Sequence, residues 1–119
     1  MGKMSRQKGK LGEREVAQIL RESGLDPAAR RGVQYCGGPD APDVVCSLPI
    51  HFECKRTETC SPYAFFKQAE LDAGPDKLPV VAHRKNAGEW MVFMRMSDFI
   101  RVVSISDMTS MKTWNNVVK

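Results

Sequence analysis

The four cysteines, at positions 36, 46, 54 and 60, form no Cys-x-x-Cys pair. That spacing disfavours a structural zinc site, which gathers thiolates and imidazoles at short fixed intervals. Cys46 and Cys54 fall within expected strands, where buried thiols are the simpler reading. No apolar run approaches the ~20 residues that a membrane-spanning helix needs. The basic N-terminus is not followed by the apolar segment of a secretory signal. The expectation is therefore a protein with no membrane partner, in a reducing cytoplasm. Internal repeats are missing, and no shift in composition marks a second domain. The first ten residues contain no acid, while holding Lys3, Arg6, Lys8 and Lys10.

What is present is a chain of 119 residues, 42% apolar and 27% charged, an ordinary balance for one globular domain with a real core. The net charge of +4 is a modest basic excess, compatible with a polyanionic partner. The excess is grouped: besides the N-terminal cations there are Arg30-Arg31, Lys55-Arg56 and Arg84-Lys85.

Residues 1–8 read as a mobile basic arm and residues 9–103 as the domain. A helix is expected from Gly9 to Ser23, with Val16, Ile19, Leu20 and Ser23 on its apolar face and Gly24 closing it. Glu13 stands at the margin of that stripe; a surface carboxylate in a first turn is its simplest account. Val33 and Tyr35 suggest a short strand, followed by a Gly-rich loop, Cys36-Gly37-Gly38-Pro39-Asp40. Ser61 as N-cap, Pro62 in the first turn and Gly74-Pro75 at the end delimit a second helix. Its Gln68 reads by itself as a solvent-exposed amide. Leu78–Ala82 and Trp90–Met96 read as strands joined by a turn at Asn86-Ala87-Gly88, and Ser97 opens a short helix through Phe99 and Val103. Residues 104–119 form a tail whose Trp114, Val117 and Val118 are expected to pack on the domain or on a second subunit. The order of elements predicts an α/β fold, a mixed central sheet flanked by helices.

The richest stretch is Pro42–Lys55. Two short apolar runs flank a turn containing Pro49, which predicts a strand pair joined by a tight connection. Asp43 opens the first strand. On the second, alternation places Ile50, Phe52 and Cys54 on one face and His51, Glu53 and Lys55 on the other. Glu53 and Lys55 thus sit about 7 Å apart at Cα. One account is an ion pair on a solvated sheet, worth about 0–1 kcal/mol. The other is the acid-plus-base pair of a metal-dependent hydrolase: carboxylates hold Mg²⁺ or Mn²⁺, which stabilises charge on phosphoryl oxygens, and a lysine stabilises hydroxide as it forms.

Pro42-Asp43, followed by Glu53-Cys54-Lys55, resembles the motif of the PD-(D/E)xK nuclease superfamily. Lys8-Gly9-Lys10-Leu11-Gly12-Glu13-Arg14-Glu15, Arg31, Gly37-Gly38, Pro42-Asp43-Val44-Val45 and Phe52-Glu53-Cys54-Lys55 are similar to successive blocks of the Holliday-junction resolvases of the archaeal Hjc type, small phage-encoded members included. The resemblance covers residues 8 to 100 or so.

It implies a restriction-endonuclease-like fold and metal ligation by Asp43, Glu53, the Cys54 backbone carbonyl and Glu13. It further implies that Lys55 activates the attacking water and that Gln68 assists as the amide following the motif. The loop serine of the archaeal enzymes is absent, with Cys36 near its place. A Mg²⁺-dependent homodimer acting on branched DNA in recombination and repair is implied, working in a bacterial host cell if phage-encoded. Arg6, Lys8, Lys10, Arg30, Arg31, Arg56, Arg84 and Lys85 would contact phosphates, making affinity strongly salt-dependent. No segment looks like a major-groove reading helix, so branch shape is expected to outweigh base sequence. Two alternatives stay open: a restriction-type or repair nuclease for duplex, flap or single-stranded DNA, and a non-catalytic nucleic-acid-binding module.

Overall fold

In the computed structural model, residues 3–32 and 44–105 are described, residues 3–9 by their backbone alone. The elements are α1 (Lys3–Glu22), β1 (Arg30–Arg31), β2 (Val44–Val45), β3 (Ile50–Arg56), α2 (Pro62–Ala73), β4 (Leu78–Arg84), β5 (Met91–Phe93) and α3 (Met96–Ile105).

Helix α1 begins at Lys3, so residues 3–8 are helical where a mobile arm is expected from the sequence. No proline interrupts the segment, and its lysines, arginine, methionine and glutamine are good helix formers, which carries the helix through Gly9 and Gly12. Its buried stripe is Gly12, Val16, Ala17 and Leu20, while Ile19 is exposed, as is Ser23. The stripe is rotated from the expected one because a close approach decides it. A Cβ on Gly12 would stand 3.3 Å from the ring of Trp90, so the helix meets the domain along its glycine and alanine side. The helix closes at Gly24, whose φ of +81° is left-handed.

The turn after α1 is fixed by Asp26. Its buried carboxylate accepts from the backbone N–H groups of Ser47 (2.6 Å) and Ala28 (3.1 Å), tying the end of α1 to the segment entering β3. The Ser47 hydrogen bond holds the Asp26 carboxyl below its ordinary value of 3.8.

Strands β1 and β2 pair antiparallel, Arg30 opposite Val45 and Arg31 opposite Val44. Strand β3 pairs parallel with β4 along its whole length, from Ile50 opposite Leu78 to Arg56 opposite Arg84. Strand β5 returns antiparallel on β4, with Val81 opposite Phe93 and His83 opposite Met91. The order in this mixed sheet is β3-β4-β5. The expected hairpin across Pro42–Lys55 does not form. Strand β2 spends its hydrogen bonds on β1, and β3 gains a seven-residue ladder with β4, far more than the two residues of β2 could satisfy. The expected β4–β5 hairpin does form, although the returning strand spans only Met91–Phe93 and Met96 already belongs to α3.

A parallel pair needs a crossover, and α2 provides it. The helix packs on one face of β3 and β4, where Ala69 and Val81 are almost wholly buried. The other face carries Phe52, Cys54, Val80 and Ala82, which pack with Val16, Ala17, Leu20, Ala29 and Val44. Both faces are therefore covered, which is why β3 and β4 are buried over consecutive residues rather than alternately. The fold is a mixed sheet flanked by helices, in agreement with the α/β expectation. No helix among the described residues is long and apolar enough to cross a membrane. Helix α3 extends to Ile105, and Trp114, Val117 and Val118 lie outside the described residues.

Asp26 generates a test. Its carboxyl is held below 3.8 in the native state, so its contribution is present above that value and is lost as pH falls through the lower native value. Urea-unfolding midpoints measured from pH 6 down to pH 2 should show this acid-side loss, and Asp26→Asn should be destabilised at pH 6 with a flatter acid limb. An unchanged limb would remove Asp26 from this role.

Candidate metal centre

Strand alternation puts His51, Glu53 and Lys55 on the face that α2 covers. The polar face is therefore not a solvated one: Glu53 is 6% exposed and His51 4%. That excludes the surface ion pair as an account of Glu53, since a buried carboxylate must be matched by partners. Lys55 Nζ stands 3.5 Å from Glu53 Oε2, and His51 Nε2 stands 3.6 Å from Glu53 Oε1. Neither distance is that of a good hydrogen bond. Both His51 Nε2 and Glu53 Oε1 are buried with no hydrogen-bond partner among the described residues.

Helix α2 completes the group. Asp72, half-buried near its C-terminal end, brings a carboxylate oxygen to within 4.8 Å of the His51 nitrogen and the Glu53 oxygen, and the three together could hold a metal ion. Gln68, one turn earlier, is exposed and donates from Nε2 to Asp72 Oδ2 at 2.9 Å. Its isolated reading as an exposed amide is thus correct, and its link to the centre runs through Asp72. The Lys55 ammonium lies 5.4 Å from the centroid of the Phe65 ring, so α2 also supplies an aromatic face for the cation.

Glu13 approaches from α1. It is half-buried and accepts from Arg31 Nε at 2.8 Å. Burial pushes its carboxyl above the ordinary value of 4.5, opposed by the Arg31 hydrogen bond and charge, and the nearby Glu53 charge pushes it up further. Glu13 thus lies within electrostatic reach of Glu53. Asp43 lies outside the described residues, as do Cys36, Gly37 and Gly38. The Cys54 side chain faces the apolar core on the opposite side of the strand, as alternation predicts.

The expected phosphate contacts divide. Arg31 is held by Glu13, and Arg84 donates twice to Glu15, at 2.6 and 2.9 Å. Lys10, Arg30 and Lys85 are exposed. Arg56 is half-buried, and its Nε finds no acceptor among the described residues. Arg6 and Lys8 fall in the first turns of α1 with side chains outside the described ones. The parallel register sets Lys55 and Arg56 level with His83 and Arg84, so Lys55, Arg56 and Arg84 collect at the carboxyl ends of the two strands, the usual ligand edge of a parallel sheet.

His51 and Asp72 have no assigned role in the sequence reading. The signal for His51 is the same alternation that pairs Glu53 with Lys55. For Asp72 it is the four-residue step from Gln68, visible once α2 is known to cross that face. No family model matches the chain, nor does any curated protein or solved structure.

Glu13 supplies the second test. A carboxyl with a raised native value stabilises the fold at acid pH, and that contribution is lost as pH rises from 4.5 through the native value. An NMR titration should find Glu13 titrating above 4.5, and higher still in Arg31→Gln, which removes the hydrogen bond and charge that hold it down. Titration at or below 4.5 in the wild type would contradict the burial argument.

Proposed function

We propose that the chain is a metal-dependent endonuclease with a restriction-endonuclease-like fold, which hydrolyses phosphodiester bonds in branched DNA and cuts four-way junctions in preference to other forms. The observation that carries this reading is the state of Glu53: buried, with one oxygen facing Lys55 and the other left without a hydrogen-bond partner beside His51 and Asp72. A carboxylate so placed, with an ammonium next to it, suits a divalent ion and a water that must lose a proton.

Mg²⁺ or Mn²⁺ would each support the reaction, supplying when bound charge stabilisation for the phosphoryl and leaving oxygens. Glu53 is the central ligand, with Asp43 and Glu13 as further ligands on the PD-(D/E)xK resemblance. Lys55 orients the attacking water and stabilises developing hydroxide, its position held by Glu53 and Phe65. Gln68 acts by orienting Asp72. Arg56 and Lys85, at the carboxyl ends of β3 and β4, would contact phosphates, and on the resemblance Arg6, Lys8, Lys10 and Arg30 would add further contacts.

Two symmetric cuts require two such centres, which supports a homodimer. Exposed apolar side chains on β5 and α3, Met91, Val92, Met96, Phe99 and Ile100, offer surface for one.

The test is cleavage of a labelled four-way junction, a flap, a linear duplex and a single strand, offered together with Mg²⁺ or with chelator. The junction should be cut first, chelator should abolish cutting, and Glu53→Gln should be inactive. Lys55→Met should lose about 10²–10⁴-fold in rate, the usual contribution of a positioned proton-transfer group. Preference for linear duplex would favour a restriction-type or repair nuclease of the same superfamily. Binding without cleavage at any divalent-ion concentration would identify a non-catalytic DNA-binding module.

A further inference from the structure

We infer that His51 is a direct metal ligand and that the cation held most tightly by His51, Glu53 and Asp72 is a borderline transition metal such as Mn²⁺ rather than Mg²⁺. The inference rests on Glu53 being the metal-bearing carboxylate of the proposed nuclease, and it concerns which ion that centre selects.

Three donor atoms converge. His51 Nε2, a Glu53 oxygen and an Asp72 oxygen all lie within 4.8 Å of one another. Opposite ligands of an ion with bonds of about 2.1 Å stand about 4.2 Å apart, so small side-chain movements close the site. His51 and Glu53 are more than nine-tenths buried, and His51 Nε2 and Glu53 Oε1 have no hydrogen-bond partner among the described residues. An imidazole nitrogen and a carboxylate oxygen left together in a dry site are both desolvated without compensation. A cation that accepts a lone pair from each removes that cost. A simple hydrogen bond between them does not fit, since they stand 3.6 Å apart.

The surroundings are arranged for an ion. Gln68 Nε2 donates to Asp72 Oδ2, orienting that carboxylate from behind, as outer partners of metal ligands commonly do. Lys55 addresses Glu53 through Oε2, not through the oxygen beside His51. One nitrogen with two carboxylates is a borderline donor set: Mg²⁺ prefers oxygen alone, whereas imidazole draws first-row transition metals. The chain has two histidines. His83 Nε2 is already engaged by Thr57, at 2.9 Å from its carbonyl oxygen and 3.2 Å from its hydroxyl.

The experiment loads the full chain with Mn²⁺ in the absence of DNA. Affinity is read by competition with Mg²⁺, and ligation by pulsed electron paramagnetic resonance, which detects ¹⁴N coupling from a coordinated imidazole. Mn²⁺ should bind at least about tenfold more tightly than Mg²⁺, in the sense expected for a nitrogen-containing site. The ¹⁴N coupling should persist in His83→Gln and vanish in His51→Gln. Loss of a residue that only hydrogen-bonds to a metal ligand weakens metal binding by about 10–100-fold, so His51→Gln should lose at least about tenfold in Mn²⁺ affinity. Asp72→Asn should weaken Mn²⁺ binding while keeping the coupling, and it serves as the decisive variant if circular dichroism shows that His51→Gln does not fold. Absence of ¹⁴N coupling in the wild type, its survival in His51→Gln, or equal affinity for the two ions overturns the inference. The outcome is separable from catalysis. Nitrogen-coupled Mn²⁺ with no cutting of any DNA leaves this site standing and removes the nuclease reading. Mg²⁺-dependent cutting without nitrogen coupling does the reverse.

Discussion

The parallel ladder between β3 and β4 is the constraint on which the rest depends. Two strands running the same way cannot be joined by a turn, so the chain between them must cross the sheet. Helix α2 makes that crossing, over the face bearing His51, Glu53 and Lys55. Left open to water, Glu53 and Lys55 would form an ion pair worth about 0–1 kcal/mol. Beneath α2 the same carboxylate is dehydrated, and the chemistry of the site follows from what α2 supplies to it: Asp72 beside Glu53, Phe65 beneath Lys55, and Gln68 behind Asp72.

A second set of charges is organised by α1. Glu13 and Glu15, two residues apart on the helix, hold Arg31 and Arg84 from different sheets. Glu15 also accepts from Trp90 Nε1 at 3.1 Å, next to the point where Gly12 lets the helix approach that ring. These pairs join α1 to β1 and to the β4–β5 hairpin. Two arginines of the basic clusters therefore serve as joints of the fold. Lys10 and Lys85 take no part in these joints and are exposed.

Much of this was legible beforehand, and each success has a local cause. Helix α2 is bounded by Pro62 and Gly74, whose backbone preferences act within a turn, while Ser61 stands at the N-cap position without a capping hydrogen bond from its side chain. The β4–β5 hairpin follows from its Asn-Ala-Gly turn. Glu53 and Lys55 meet because a strand repeats every two residues. The failures are equally local in origin. The short link through Ser47 and Pro49 reads as a hairpin because nothing nearby reveals that β3's better partner lies more than twenty residues on. The α1 stripe is misplaced onto Ile19 because hydrophobicity alone ranks it above Ala17, whereas contact with Trp90 and the sheet favours the smaller residue.

The amino-acid sequence by itself determined which residue types share a strand face, where the helices stop, and that His51, Glu53 and Lys55 point the same way. Those properties depend on backbone periodicity and on turn chemistry spanning a few residues. Only the tertiary structure decided that this face is closed, that Asp72 joins Glu53 while Gln68 stands behind it, and that Arg31 and Arg84 belong to Glu13 and Glu15. The physical reason is that burial and pairing arise between segments distant in the chain, and the choice of β4 as partner for β3 sets them all at once.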